Sequence, residues 1–175
     1  MVSEGMNNVG LTRFAGWLLT VCLLPGCTRQ QRAVDLYADG VALREARQYL
    51  PAVEKLNKAL KADPGFAAAY RELGRAYLEL GEHGRAVTAF KQAARLEPGS
   101  SANHLNLAET YEMLEKYSQA ADAYVRAAEL DPNDLDALTG AAGGLVKSGQ
   151  YARAQAYCEQ AQAHRSELLP LLARA

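Results

Sequence analysis

Residues 67–100 read AAAYRELGRAYLELGEHGRAVTAFKQAARLEPGS and residues 101–134 read SANHLNLAETYEMLEKYSQAADAYVRAAELDPND, two stretches of 34 residues that align without a gap. Leu73-Gly74 and Tyr77 return as Leu107-Ala108 and Tyr111. Ala86, Phe90 and Ala93 return as Ala120, Tyr124 and Ala127, and Glu97-Pro98 returns as Asp131-Pro132. The same frame runs back through Asp63-Pro64 to Gly40, Leu43, Ala52, Leu56 and Ala59. It runs forward to Ala142, Leu145, Ala154, Cys158 and Ala161. Within each unit the apolar residues recur at three- and four-residue intervals, which predicts two amphipathic helices per unit. Gly81 and Gly149 suit a left-handed helix ending. Pro64, Pro98 and Pro132 stop helix continuation between units, and the residue before each must leave the helical region. No such unit buries its apolar face alone, so at least about three must stack.

Composition agrees. Of 175 residues 33 are Ala and only six Pro, which favours helix over sheet. Nineteen basic residues against 20 acidic leave a net charge of −1, with no footprint for nucleic acid. Cys22, Cys27 and Cys158 cannot form a disulfide framework. Because His83, His104 and His164 are scattered, no metal or cofactor is expected.

The periodic residues resemble the tetratricopeptide repeat family over about residues 33–166, in units 33–66, 67–100, 101–134 and 135–166. The resemblance implies an all-α, right-handed α-solenoid of helix-turn-helix repeats. Residues 167–175, with four leucines around Pro170, are expected to form a short capping helix. The terminal units depart from the pattern. The first has Asp39-Gly40 where the second and third have Leu-Gly and Leu-Ala. The fourth carries Gly140, Gly143 and Gly144 inside its first helix, each costing about 1 kcal/mol relative to alanine. It is therefore expected to be the least stable part of the array.

In that family the first helix of every unit lines a concave groove. The matching positions are Val34, Tyr37, Val41, Arg44 and Glu45, then Ala68, Arg71, Arg75, Leu78 and Glu79. Ala102, Leu105, Glu109, Glu112 and Met113 follow, then Asp136, Thr139, Gly143, Val146 and Lys147. The expected partner-binding residues are Tyr37, Val41, Arg71, Arg75, Leu78, Leu105, Glu109 and Glu112. Arg71 and Arg75 lie four apart on one face as basic anchors, with Glu109 and Glu112 forming an acidic patch further along. Such a groove suits an extended or helical peptide. Some members clamp a C-terminal carboxylate. Asn106 matches one clamp position, but the companion positions hold Arg75, Asp136 and Gly140, so that mode is not expected.

The N-terminus reads differently. Phe14–Pro25 is a mostly apolar run preceded by Arg13, too short to span a membrane and matching the core of a secretory signal. Glu4 weakens its basic region, and translation from Met6 rather than Met1 would remove it. Leu24-Pro25-Gly26-Cys27 resembles a bacterial lipobox, with Pro25 departing from the usual small residue. The resemblance implies a signal peptide over 1–26 and acylation of Cys27, whose several chains suffice for stable anchoring. Since Thr28 rather than Asp follows, it also implies an outer-membrane lipoprotein facing the periplasm. A plain secretory signal or inner-membrane residence are the alternatives. Residues 27–32 are then a short tether holding the array within about 20 Å of the headgroups, with Arg29 and Arg32 toward anionic lipid.

No catalytic constellation accompanies these features. Ser3, Ser100 and Ser101 lack a base. The glycines at 140–144 lack the lysine and strand of a phosphate loop. His104 is expected to be an interhelical histidine, and Cys158, standing where Phe90 and Tyr124 stand, a buried filler. The expected function is a non-enzymatic, lipid-anchored adaptor that binds a protein or peptide and no small-molecule substrate, in assembly of a pilus, secretion or outer-membrane complex. A self-associating structural envelope lipoprotein is the alternative, and an enzyme with an unseen site a more distant one.

Overall fold

A helix opening on Pro25 begins the described part of the chain. The computed structural model describes the backbone of residues 25–172 and the side chains of residues 28–166. Among the described residues the elements are helices α1 (Pro25–Glu45), α2 (Tyr49–Ala62), α3 (Ala67–Glu79), α4 (His83–Leu96), α5 (Ser101–Met113), α6 (Tyr117–Leu130), α7 (Leu135–Lys147) and α8 (Tyr151–Leu172). They pair as α1/α2, α3/α4, α5/α6 and α7/α8, one pair per 34-residue unit. Packing is overwhelmingly between consecutive helices, as in a linear stack. None of these helices is long and apolar enough to cross a membrane.

The turns repeat as faithfully as the helices. Inside every unit the chain reverses through one left-handed residue: Arg47 (φ 60°), Gly81 (φ 73°), Glu115 (φ 57°) and Gly149 (φ 80°). Each reversal is closed by a six-residue backbone hydrogen bond, donated by Gln48, Glu82, Lys116 and Gln150 to Leu43, Tyr77, Tyr111 and Leu145. Between units Asp63, Glu97 and Asp131 adopt φ of −134°, −126° and −134°, the extended conformation that a following proline demands. Asp63 and Asp131 each accept a hydrogen bond from the backbone N–H two residues on, and Asp134 caps α7 by accepting from Asp136 and Ala137.

Small residues meet large ones across the first two pairs. A Cβ added to Gly40 would lie 2.7 Å from Leu56 Cγ, and one added to Gly74 would lie 2.6 Å from the Phe90 ring. Phe90 and Leu56 are fully buried. Alanines at 52, 59, 86, 93, 120, 127 and 154 complete the core.

Two of the fourth unit's glycines have the same purpose between units. A Cβ on Gly140 would come within 2.4 Å of the Tyr124 ring, and one on Gly144 within 3.0 Å of the Ala121 Cα. They let α7 seat on α6 as closely as helices seat within the other units. Part of the propensity cost expected of this helix is therefore offset by packing. Gly143 differs, since a Cβ there would meet nothing within 4 Å.

The structure corrects three sequence expectations. Residues 28–32 are not an extended tether but the continuation of α1, rising about 1.5 Å per residue. Arg29 does not point free toward lipid. Its Nε donates to the Ala62 carbonyl at 2.7 Å and its Nη2 to Lys61 at 3.3 Å, so it caps the C-terminus of α2, where a cation is favoured. Cys158 is exposed rather than buried, because no helix follows α8 among the described residues to cover that position. The segment expected as a capping helix is helical through Leu172, where it prolongs α8. Residues 1–24 of the expected signal peptide, the side chains of residues 25–27 with Cys27 among them, the leucine side chains of 168–172 and residues 173–175 lie outside the described residues.

Candidate functional site

The first helices α1, α3, α5 and α7 carry the groove positions, and none of the twenty is buried. Val34, Met113 and Val146 are 43%, 57% and 47% exposed, the apolar residues that the groove offers most openly. Tyr37 is half-buried instead, its ring 4.8 Å from that of Phe66 at the junction of the first two units. Leu78 and Leu105 also lean into inter-unit core, and Val41 is partly covered. These expected floor residues serve packing and groove together.

The charged positions sort into partnered and unpartnered groups. Arg44 Nε donates to Glu72 Oε2 at 2.8 Å and Arg75 Nη1 to Glu72 Oε1 at 3.0 Å, so one buried carboxylate bridges two guanidinium groups across two units. Arg71 Nη1 donates to Asn103 Oδ1 at 3.3 Å and lies 3.5 Å from Glu97 Oε2. Asn103 is fully buried, and its amide donates to the Ala93 carbonyl and to Glu97, tying the second unit to the third. Lys147 Nζ donates to Glu112 Oε1 and sits 5.2 Å from the Tyr117 ring centroid. All four basic groove residues are thus engaged within the fold. Of the two expected anchors, Arg71 ties the second unit to Asn103 of the third, while Arg75 pairs with Glu72 on its own helix. His104 is half-buried, with Nε2 3.4 Å from the Pro98 carbonyl.

The acidic side is built differently. Glu109, Glu112, Tyr124, Asp136, Thr139, Gly140, Gly143 and Gly144 line a cavity of about 500 Å³ between the third and fourth units. The Tyr124 hydroxyl, carried up from α6, donates to Glu112 Oε2 at 3.1 Å. Burial, with the Glu112 charge and hydrogen bond next, pushes that phenol well above the usual tyrosine range. Glu112 is held below the ordinary carboxylate range by the hydrogen bond from Lys147, assisted by Tyr124. Lys147 is correspondingly raised by its bond to Glu112. Glu109 shifts the other way: partial burial raises it, and the nearby Asp136 charge adds to this while Arg75 opposes. Among the described residues no group of His, Cys, Asp and Glu has the arrangement of a metal site.

Sequence reading missed Glu72 and Tyr124. Glu72 is 28 residues from Arg44, a separation that no local motif marks. Tyr124 was expected only as core filler, and its ring does fill the gap over Gly140 while its hydroxyl reaches the groove.

Four antiparallel helix pairs in one phase, each leaning only on its neighbours and leaving its first helix open to solvent, define a helical-repeat stack. The chain belongs to the tetratricopeptide repeat family: two family models described as tetratricopeptide repeat match residues 37–101 and 79–141, together more than half its length. A comparison with curated sequences finds no match. Solved structures share the fold. One titled crystal structure of MamA is 19% identical with a TM-score of 0.73, covering 95% of this chain and 99% of that one. MamA 41-end from Desulfovibrio magneticus RS-1 is 18% identical with a TM-score of 0.68, covering 93% and 98%. The first TPR of Spaghetti (RPAP3) bound to HSP90 peptide SRMEEVD is 22% identical with a TM-score of 0.65, covering 69% of this chain and 95% of that one.

Proposed function

We propose that the protein is an adaptor that grips a segment of another polypeptide in the groove of α1, α3, α5 and α7 while acyl chains on Cys27 hold it to a bacterial envelope membrane. The observation that carries the groove reading is the uninterrupted row of uncovered positions on the first helices, with Val34, Met113 and Val146 left in solvent. A peptide-bound relative of the same fold supports it. The carboxylate-clamp positions here hold Asn106, Arg75, Asp136 and Gly140, so a partner with an acidic C-terminal tail is disfavoured.

The anchoring reading rests on the lipobox-like Leu24-Pro25-Gly26-Cys27. With Thr28 next, residence in the outer membrane facing the periplasm follows from the same resemblance, and a role in assembling an envelope complex from both together. Arg29, two residues after Cys27, is bound to the end of α2. Anchoring at Cys27 therefore fixes the first unit against the membrane and leaves the later units projecting.

Palmitate labelling of the wild type and Cys27→Ser tests the anchor; label that persists on the variant refutes it. For the groove, crosslinked partners are recovered from solubilised envelopes with wild type, with Met113→Asp/Val146→Asp and with Lys91→Ala, a substitution on a second helix. Loss of a specific partner only in the groove variant is expected. Equal recovery from all three removes the groove reading.

A further inference from the structure

We propose that the third and fourth units receive a basic stretch of the partner, with one lysine or arginine seated between Glu109 and Asp136 over the bare backbone of Gly143. This rests on the groove-binding reading and adds the sign and place of recognition.

Charge complementarity comes first. Arg44, Arg71, Arg75 and Lys147 each hold a carboxylate already, whereas the carboxylates of Glu109 and Asp136 have no hydrogen bond or ion pair among the described residues, the Asp136 backbone N–H alone being bound, to Asp134. What the groove has left to offer is negative. Asp136 lies in the first turn of α7, where the helix dipole favours a carboxylate. No such benefit exists for Glu109 in the second half of α5, where burial and Asp136 both work against its charge.

Hydrogen-bond capacity comes second. The side-chain donors on the cavity wall are already committed, the Tyr124 hydroxyl to Glu112 and the Thr139 hydroxyl to the Leu135 carbonyl at 2.7 Å, and Lys147, which does not line the cavity, also binds Glu112. The lining therefore presents acceptors, and the group that satisfies them is rich in donors and positive, an ammonium or guanidinium.

Gly143 comes third and is independent of charge. Gly140 and Gly144 are required by Tyr124 and Ala121, but a Cβ on Gly143 would meet nothing, and its helical backbone needs no glycine. An exposed mid-helix glycine costs stability. It has a reason if something outside the fold approaches that backbone, as the methylene stem of a lysine or arginine does. Met113 and Val146, exposed on the same groove, give neighbouring apolar residues of a peptide a place to rest, which a free polyamine would not use.

The test is selection from a pool of short random peptides on the immobilised full chain, followed by anisotropy with the best binder. Binders rich in Lys or Arg beside Leu, Ile or Met are expected. Their affinity falls about tenfold in Glu109→Gln/Asp136→Asn. It falls comparably in Gly143→Ala, although that variant melts no lower than wild type. Acidic or charge-indifferent binders overturn this inference and leave the groove reading standing. Basic binders that hold Gly143→Ala and the charge variant as tightly as wild type also overturn it, as does displacement by equimolar spermidine. No enrichment over the Met113→Asp/Val146→Asp protein removes both.

Discussion

Replacing Gly74 by alanine sets two effects of known size against each other. In an open helix the change is worth about 1 kcal/mol of stability. Here the new methyl would stand 2.6, 2.7 and 2.8 Å from three carbons of the Phe90 ring, and carbon atoms at rest are about 3.5–4.0 Å apart. Phe90 is fully buried, so its ring cannot retreat into solvent, and α3 must lift off α4 or the ring must leave its rotamer. Overpacking costs about 1–3 kcal/mol, and three contacts under 3.0 Å with a ring that is fully buried put this site at the upper end, about 2–3 kcal/mol. The expected net change is a loss of about 1–2 kcal/mol, lowering Tm by about 2–8 °C for a chain of this length. Urea titration followed by helical circular dichroism measures it. Gly74→Ala/Phe90→Leu, which shortens the obstructing side chain, should be less destabilised than the sum of the single changes by about 1 kcal/mol. A Gly74→Ala protein as stable as wild type would refute the close seating of Phe90 on that glycine.

Arg47→Gly and Glu115→Gly should each stabilise the fold by about 0.5–1 kcal/mol, since both residues hold the left-handed conformation that Gly81 and Gly149 hold at equivalent turns; unchanged urea midpoints would contradict this. Asn103→Ala should cost about 1–3 kcal/mol, because it strips partners from Arg71 and Glu97 at a buried junction. Amide exchange should localise the loss between α4 and α5. The two groove glutamates should respond oppositely to pH. Glu112 has a lowered folded pKa, so its stabilisation is present above the unfolded value and lost as pH falls through the folded one. Glu112→Gln is then slightly less stable than wild type at neutral pH, the pair being open to solvent, and the gap closes in acid. Glu109 has a raised folded pKa, so its stabilising contribution exists below the unfolded value and disappears as pH rises. Glu109→Gln is then the more stable protein at neutral pH, and its advantage vanishes in acid; urea midpoints at both pH values decide each case.

Periodicity in side-chain size made the repeat legible. Gly74 must face Phe90 because only a missing Cβ admits a ring there, and a proline after Asp63, Glu97 or Asp131 forces the chain out of the helix wherever it occurs. Those are local requirements, written within one unit. The uncovered positions of the first helices were legible for the same reason, since the period of core residues leaves them over. The electrostatics of that face were not. Arg71 and Arg75 read as a free basic pair along the chain, yet in the fold they meet Asn103, Glu97 and Glu72, contributed by their own and the next unit. Tyr124 read as filler because its ring is filler, and only its height on α6 brings the hydroxyl to Glu112.

The sequence by itself determined four helix pairs, the proline-marked breaks between them, the left-handed turns at Gly81 and Gly149 and the side of each first helix left uncovered, because these follow from backbone conformation and the period of small and large residues. Tertiary structure alone decided which charges are satisfied and which core-type positions are covered. Ion pairs form across unit boundaries, where rise and rotation set the distance between residues far apart in sequence. Cys158 sits in a core register yet meets solvent, because burial belongs to a residue only when another helix arrives to cover it.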